Sequence, residues 1–302
     1  MTIYSIRLMR ENMGANKQTA ILMDGHHERY LLSIIVGVNS ITSHLFRTID
    51  SIRYQDSPGY SVQVIIKLAY TDSVEINALK NECPNWLSIE IAVQPDSSLA
   101  QAWNQSLMLA KGRWILFWGA GETFPEKNTL SSLSSPLLNS QGQLVSGGAI
   151  ITDTDGRVMT TVRAKPSDAA RRIYRTLPYH HNALFHSASI FQDFSFDCSY
   201  KYSADYDLLL RSSAYKDCLI IQQDVVVFQN DGMSSDLSNS LSVGLEFFKA
   251  QMHNVPLRYS YLPFFELALN AIKYVFYLAL GNRAASALAA IGRPFGFNTY
   301  HR

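Results

Sequence analysis

The chain has 302 residues, and its 26 lysines and arginines against 25 aspartates and glutamates leave a net charge of +1. Proteins that bind nucleic acid through its phosphates usually carry a clear basic excess, so this balance argues against a nucleic-acid partner. Hydrophobic residues form 47% of the chain and charged residues 17%, which argues against a largely disordered protein and allows a sizeable core.

The cysteines and the N-terminal segment are typical of a protein of the reducing cell interior. Cys83, Cys198 and Cys218 form no C-x-x-C pair, so we expect neither a disulfide framework nor a zinc site. Residues 1–29 are polar and mixed, without the apolar core that a signal peptide needs. We therefore interpret residues 1–29 as a leader and expect a cytoplasmic protein.

The first predicted elements are a buried strand and an amphipathic helix. Residues 31–38 are a continuous apolar run, which favours a strand buried on both faces. A helix follows from Ser43, because Leu45, Ile49 and Ile52 recur at helical spacing and form one apolar face.

This strand–helix pattern repeats through the first half of the chain. Residues 62–68, 87–93 and 114–118 read as further strands, with helices predicted at 74–82 and 99–110. The alternation predicts an α/β fold with a parallel sheet, in which ligands bind at the carboxyl ends of the strands.

The second half has a different pattern. Residues 145–161 predict a β-hairpin that turns at Asp153–Thr154–Asp155–Gly156. A helix with an acidic start is predicted at 202–214, a strand at 219–228, and a helical tail from Tyr261.

Three groups of polar residues are candidates for chemistry. Asp205 lies at a helix start, where a carboxylate is either a plain helix-terminal residue or part of a site. Glu122 follows an apolar strand and a Gly-rich turn, so it is either a ligand for a divalent metal or a solvated loop carboxylate. His180 and His181 are adjacent and are not expected to share one metal.

Signatures of several nucleotide-binding and hydrolytic folds are absent from the sequence. No G-x-G-x-x-G follows the first strand, and neither a G-x-x-x-x-G-K-[ST] loop nor a G-x-S-x-G elbow occurs. The sequence therefore gives no support to a Rossmann dehydrogenase, a P-loop ATPase or an α/β-hydrolase, and only weak support to a nucleotidyltransferase on a related sheet.

Ordered motifs over about two thirds of the chain are similar to the family 2 glycosyltransferases of GT-A fold, in particular bacterial polysaccharide and lipopolysaccharide sugar transferases. The strongest match is FDCSYKYSADYDLLLR at residues 196–211, which resembles the helix that supplies the family's catalytic base. The matching segments, in chain order, are residues 31–40, 46–55, 94–117, 151–158, 178–185, 196–211 and 229–235.

The resemblance implies an inverting transfer of sugar from a nucleotide-diphosphate sugar to a glycan or a lipid-linked acceptor, in surface polysaccharide biosynthesis. It implies Asp205 as the base, His181 and Asp207 on the acceptor side, and Glu122 as ligand to Mg²⁺ or Mn²⁺. The positions that it implies for the nucleotide sugar are Gly37, Val38, Asn39, Lys67, Asp96 and Asn104.

Several acids common in this family are replaced here. Lys67 begins the run that corresponds to the usual Asp-Gly-Gly-Ser-Thr-Asp, Gly121 precedes Glu122 in the metal motif, and Gln101 and Gly148 also stand where acids are common. These replacements leave a second hypothesis open, a catalytically silent protein of the same fold that binds a nucleotide sugar or a glycan.

The C-terminal segment is apolar with one narrow polar stripe. Glu266, Asn270 and Lys273 lie at helical spacing, so the helix is either a core or dimer helix or one that lies on the inner face of the membrane through residues 261–283. We expect three parts, a leader at 1–29, a transferase domain at 30–235 and a helical extension at 236–302. The division of the domain into a nucleotide half at 30–125 and an acceptor half at 126–235 follows the resemblance.

Overall fold

A computed structural model describes residues 30–70, 83–95, 98–165, 172–229 and 237–255, together with Ile76, Leu79 and single positions between 263 and 279. The predicted leader at 1–29, most of the predicted helix at 74–82, and Asp96 lie outside the described residues.

In the described part of the chain, eight strands form one sheet in the order β3-β2-β1-β4-β7-β5-β6, with β8 paired to β5. The strands are β1 (Tyr30–Val38), β2 (Val62–Leu68), β3 (Leu87–Val93), β4 (Gly112–Trp118), β5 (Leu144–Thr152), β6 (Val158–Val162), β7 (Leu184–Ser187) and β8 (Cys218–Gln229). Strands β1 to β4 are mutually parallel and β8 runs parallel to β5, whereas β7 is antiparallel to both β4 and β5. The result is a mixed, mostly parallel sheet flanked by helices, which confirms the predicted α/β fold class.

Seven α-helices are described, and short 3₁₀ turns link some of the elements. The helices are α1 (Ser43–Arg53), α2 (Leu99–Leu107), α3 (Thr129–Ser132), α4 (Ser134–Asn139), α5 (Ile190–Asp193), α6 (Ala204–Ser212) and α7 (Ser240–Asn254). The 3₁₀ turns span His181–Ala183, Ala214–Lys216 and Leu237–Asn239.

The core has two parts, one on each face of the sheet. Along β4, Trp114, Leu116 and Trp118 pack into the cluster that contains the apolar face of α1. Ile115 and Phe117 point the other way, into the cluster that contains α2 and α6. Because both faces are covered, the central strands carry continuous apolar runs rather than alternating ones.

Several predicted elements of both halves agree closely with the structure. β2 and β3 have the predicted bounds, and the hairpin between β5 and β6 is antiparallel as expected. Two helix predictions were too long. α2 ends at Leu107, and α6 ends at Ser212 because Ser213 adopts a left-handed backbone conformation with φ of 56°.

Candidate functional site

The strand order places a crevice at the carboxyl edge of the sheet, between β1 and β4. From β1 the chain adds β2 and β3 on one side and then crosses to add β4 on the other. At such a switch point the loops after the two central strands diverge and leave room for a ligand. The loops concerned begin after Val38 and after Trp118.

The turn that carries His181 is fixed at this edge by contacts with β4. Trp118 Nε1 donates a hydrogen bond of 2.8 Å to the carbonyl oxygen of Asn182. The His181 ring stacks on Phe117, with centroids 5.8 Å apart, and lies 4.8 Å from the Trp103 ring. Strand β4 and helix α2 therefore contribute to holding this imidazole in place.

Asp205 lies beside His181, so the structure brings these two predicted site residues together. His181 Nδ1 is 3.5 Å from Asp205 Oδ2, and the two side chains are 14% and 15% exposed. Burial raises the pKa of Asp205 to about 6, and the negative charge of Glu246 adds to the rise. Burial lowers the pKa of His181 to about 4, so the imidazole is neutral at pH 7.

The start of α6 is held by a carboxylate that sequence reasoning missed. Glu246, on α7, accepts hydrogen bonds from the backbone N–H groups of Lys201, Tyr202 and Ser203 at 2.9, 2.7 and 3.0 Å. These groups lead directly into the turn that presents Asp205. A carboxylate there also interacts favourably with the positive end of the helix dipole.

Asp207 has a different environment from the acceptor-side position that the resemblance implies. It is 3% exposed, and its Oδ2 accepts a hydrogen bond of 2.6 Å from Arg211 Nε one turn later in α6. The same arginine donates to the carbonyl of Ser195. Asp207 is thus turned into the protein, as expected for a residue two positions from Asp205 on a helix.

Two residues predicted to contact the nucleotide sugar are engaged with the backbone. Asn104 pairs with Phe196, donating to its carbonyl at 2.8 Å and accepting from its N–H at 3.0 Å. Lys67 is fully buried, and its Nζ donates to the carbonyl oxygens of Leu68 and Gln94. Lys67 thus links the carboxyl ends of β2 and β3. Asn104 links α2 to the segment before α6.

The end of β1 is open and lies against α2. Gly37 and Val38 are partly buried and Asn39 is exposed. A Cβ on Gly37 would lie 3.9 Å from Trp103 Nε1, a buried donor that has no hydrogen-bond acceptor in the described structure. The predicted Asp96 lies outside the described residues.

The loop after β4 carries the predicted metal ligand. Glu122 is 7% exposed, and Asn182 Nδ2 donates to its Oε1 at 2.7 Å. Gly121 has a φ of +112°, and a Cβ there would lie 3.3 Å from Arg47 Nη2 and 3.5 Å from His44 Nδ1. Within the described ranges, no group of three or more His, Cys, Asp and Glu side chains could hold a metal ion.

This donor set does not fit a resident divalent cation well. Mg²⁺ binds through one or two accessible carboxylates together with the phosphates of a substrate. Here the carboxylate of Glu122 is mostly buried and bound to an amide, and a guanidinium stands next to position 121. Like-charge repulsion disfavours a metal beside that guanidinium.

The space beside Gly148, where an acid is common in the family, is occupied by an acid from the adjacent strand. A Cβ on Gly148 would collide with Asp224 Oδ1, on the adjacent strand β8. Asp224 accepts two hydrogen bonds from Arg163, at 2.9 and 2.6 Å. The space above Gly148 is therefore filled by a cross-strand ion pair.

An open surface pocket of about 550 Å³ lies at the opposite edge of the sheet. Its lining includes Asn139, Gln141 and Asp217, near the starts of β5 and β8. None of the predicted site residues lines it, so it is separate from the region where His181 and Asp205 meet.

Comparisons with known proteins agree with this architecture. No family model matches the chain, and no curated protein sequence matches it. Solved structures of glycosyltransferases do match in three dimensions. S. aureus TarS 1-349, in complex with UDP-GlcNAc, has a TM-score of 0.57 at 14% identity, over 81% of this chain and 72% of that one.

Two further solved structures are similar. Mannosyltransferase PcManGT from Pyrobaculum calidifontis, in complex with GDP-Man and Mn²⁺, has a TM-score of 0.57 at 15% identity, over 90% of this chain and 82% of that one. Glucosyl-3-phosphoglycerate synthase from Mycobacterium tuberculosis has a TM-score of 0.50 at 18% identity, over 74% and 80%. At these identities the likeness establishes the fold, and the chain has the GT-A-like fold of these glycosyltransferases.

Proposed function

We propose that the chain is a glycosyltransferase that moves a sugar from a nucleotide-diphosphate sugar to an acceptor hydroxyl with inversion. The observation that carries the proposal is Asp205, a mostly buried carboxylate with a raised pKa, held beside a neutral His181 at the carboxyl edge of the sheet. The fold, shared with known sugar transferases, supports it.

In this mechanism Asp205 is the general base. With a pKa of about 6, its carboxylate is mostly ionised at pH 7 yet more basic than an ordinary aspartate. It accepts the proton of the acceptor hydroxyl while that oxygen attacks the anomeric carbon. The bond from the anomeric carbon to the phosphate oxygen breaks on the opposite face, and the nucleoside diphosphate leaves with the electron pair.

The donor is proposed to lie across the switch-point crevice. Gly37, Val38 and Asn39 would line it at the end of β1, where Gly37 and Val38 are partly buried and Asn39 is exposed. Residues 30–125 would then form the donor half and 126–235 the acceptor half. Binding of Mg²⁺ or Mn²⁺ by Glu122 stays a prediction. The burial of Glu122, its hydrogen bond to Asn182 and the nearby guanidinium do not favour it.

Surface polysaccharide assembly is the proposed setting, and a lipid-linked glycan the proposed acceptor. Phe264, Ile272, Val275 and Leu278 are exposed at helical spacing on one face, whereas Asn270 packs against Gly244 of α7. Residues 261–302 contain one acid against four lysines and arginines, which favours an anionic lipid surface. Among the described residues, no helix has the length and apolar character needed to cross a bilayer.

This membrane contact has its own test. Co-sedimentation with vesicles of phosphatidylglycerol and of phosphatidylcholine, using the wild-type chain and an Ile272→Glu, Val275→Glu double variant, measures it directly. We expect binding to the anionic vesicles that the double variant loses. If the wild type and the double variant sediment equally with the anionic vesicles, the proposed membrane contact is wrong.

The transferase activity is tested by calorimetry with a panel of UDP-, GDP-, dTDP- and CDP-sugars, followed by NMR of the products formed with glycan acceptors. Binding of one donor and a product of inverted anomeric configuration support the proposal. Donor binding without any turnover would favour the second candidate, a silent sugar-nucleotide-binding protein, to which the engaged Lys67 and the glycine at position 121 lend support.

A further inference from the structure

We propose that the guanidinium of Arg47 is the cation that binds the donor's diphosphate at the switch point, so that a nucleoside diphosphate binds without a divalent metal. The inference rests on the proposed function and adds a binding residue that the sequence motifs did not single out.

Arg47 stands where three segments meet at the carboxyl edge of the sheet. It lies in the second turn of α1, the helix that follows β1. Its Nη2 donates to the carbonyl oxygen of Gly121, in the loop after β4, and to Oε1 of Gln229, at the end of β8, both at 3.2 Å. Gly121 and Gln229 both follow or end strands at the carboxyl edge of the sheet, so Arg47 lies at the edge where the proposed donor crevice begins.

The absence of a side chain at position 121 keeps the guanidinium accessible. A Cβ there would lie 3.3 Å from Arg47 Nη2, and a longer side chain would extend over the guanidinium. The positive φ of Gly121 suits a glycine, and its N–H donates to Thr48 Oγ1 at 2.8 Å. The loop is thereby fixed against α1, and the exposed face of Arg47 stays open to solvent.

The charge of Arg47 is not neutralised in the described part of the chain, where both its acceptors are uncharged. Two other described cations near this edge are less suitable, because one is buried and the other is already paired with an acid. Lys67 is fully buried and donates to carbonyls, and Arg163 forms a two-bonded ion pair with Asp224. Arg47 is thus the described cation best placed to meet an anionic ligand in the crevice.

A guanidinium is chemically suited to this task. Its planar set of donors matches phosphate oxygens in pairs, and it stays charged at every physiological pH. Placed on the leaving group, it stabilises the negative charge that develops as the bond from sugar to phosphate breaks. His44 Nδ1 lies near the same point and offers a second ring donor or acceptor.

The test is calorimetric titration of the full-length chain with UDP, GDP, dTDP and CDP, first in EDTA and then with MnCl₂. The variants are Arg47→Ala and Arg47→Lys, and Arg157→Ala is the matched control. Arg157 is an exposed arginine in the turn between β5 and β6 that pairs with Asp155. Thermal unfolding of each variant verifies that it is folded.

We expect one nucleoside diphosphate to bind the wild type in EDTA and Arg47→Ala to bind it about tenfold more weakly or worse, as for a lost hydrogen bond to a charged group. Arg47→Lys should lie between, and Arg157→Ala should bind like the wild type. Unchanged binding by Arg47→Ala, or binding that requires Mn²⁺, would overturn the inference and leave the proposed function standing. If no nucleoside diphosphate binds the wild type in either buffer, the proposed function itself falls.

Discussion

The carboxylate of Glu246 accepts a hydrogen bond of 3.0 Å from the backbone N–H of Ser203, the residue immediately before the helix that carries Asp205. The contact joins α7, in the C-terminal extension, to the start of α6. Phe247 adds to the junction by stacking on Tyr206, with centroids 4.4 Å apart. The extension therefore helps to position the proposed base.

Replacement of Glu246 should destabilise the protein through this contact. Glu246→Ala leaves three backbone N–H groups without their acceptor, so we expect the free energy of unfolding to fall by about 1–3 kcal/mol. Glu246→Gln retains an acceptor oxygen and should lose less. Urea denaturation measures the effect, with Ser242→Ala, an exposed position on the same helix, as the control. An alanine variant as stable as wild type would argue against the contact.

The pH dependence of transfer should report the pKa of Asp205. Because the base must be ionised, the rate should rise with pH through about 6 rather than through the ordinary value near 4. The titratable groups that face Asp205 in the described structure are Glu246, from α7, and His181, which stays neutral above about pH 4. Glu246→Gln removes a negative charge and should move the acid limb to lower pH. An acid limb near pH 4 in the wild type would contradict this assignment.

The same raised pKa predicts a stability effect that needs no substrate. The folded chain holds the proton of Asp205 more tightly than the unfolded chain, so this stabilisation is complete below pH 3.8 and is lost as pH rises through about 6. Asp205→Asn, which carries no charge, should therefore be more stable than wild type at pH 7.5, by about 2 kcal/mol. Near pH 3.5 the two proteins should be alike, and a less stable variant at pH 7.5 would contradict the raised pKa of this buried carboxylate.

Asp207 should respond in the opposite way. Its carboxylate is almost fully buried against Arg211, so Asp207→Asn leaves the guanidinium without its charged partner. We expect a loss of about 2 kcal/mol in the free energy of unfolding at pH 7.5. Chemical denaturation of the two asparagine variants side by side makes the comparison, and an equal effect of both would contradict the different environments.

The central fold was predictable because its signals are local. The runs that become β1, β2 and β4 are apolar since both faces of the sheet are covered. Strand β7 (Leu184–Ser187) was not predicted, because a four-residue strand depends on antiparallel pairing with β4 and β5 that leaves no periodicity in the sequence.

The candidate site was predictable only where a motif existed. Asp205 and His181 came from the family resemblance, and the structure brings them together. Glu246 and Arg47 had no signal in the local sequence. Glu246 bonds to a segment more than 40 residues earlier in the chain, and the accessibility of Arg47 depends on Gly121, in a distant loop. Asn104 and Asp207 belong to the motifs, yet their side chains are engaged in internal pairing.

The most direct test of the account is the rate of sugar transfer by Asp205→Asn, measured beside the wild type and an Asp193→Asn control on the exposed end of α5. The account predicts that Asp205→Asn folds and binds the donor, while transfer falls by about a hundredfold to ten-thousandfold, the usual contribution of a general base. The control should keep the wild-type rate. Transfer by Asp205→Asn at the wild-type rate would contradict the central claim that this carboxylate is the base.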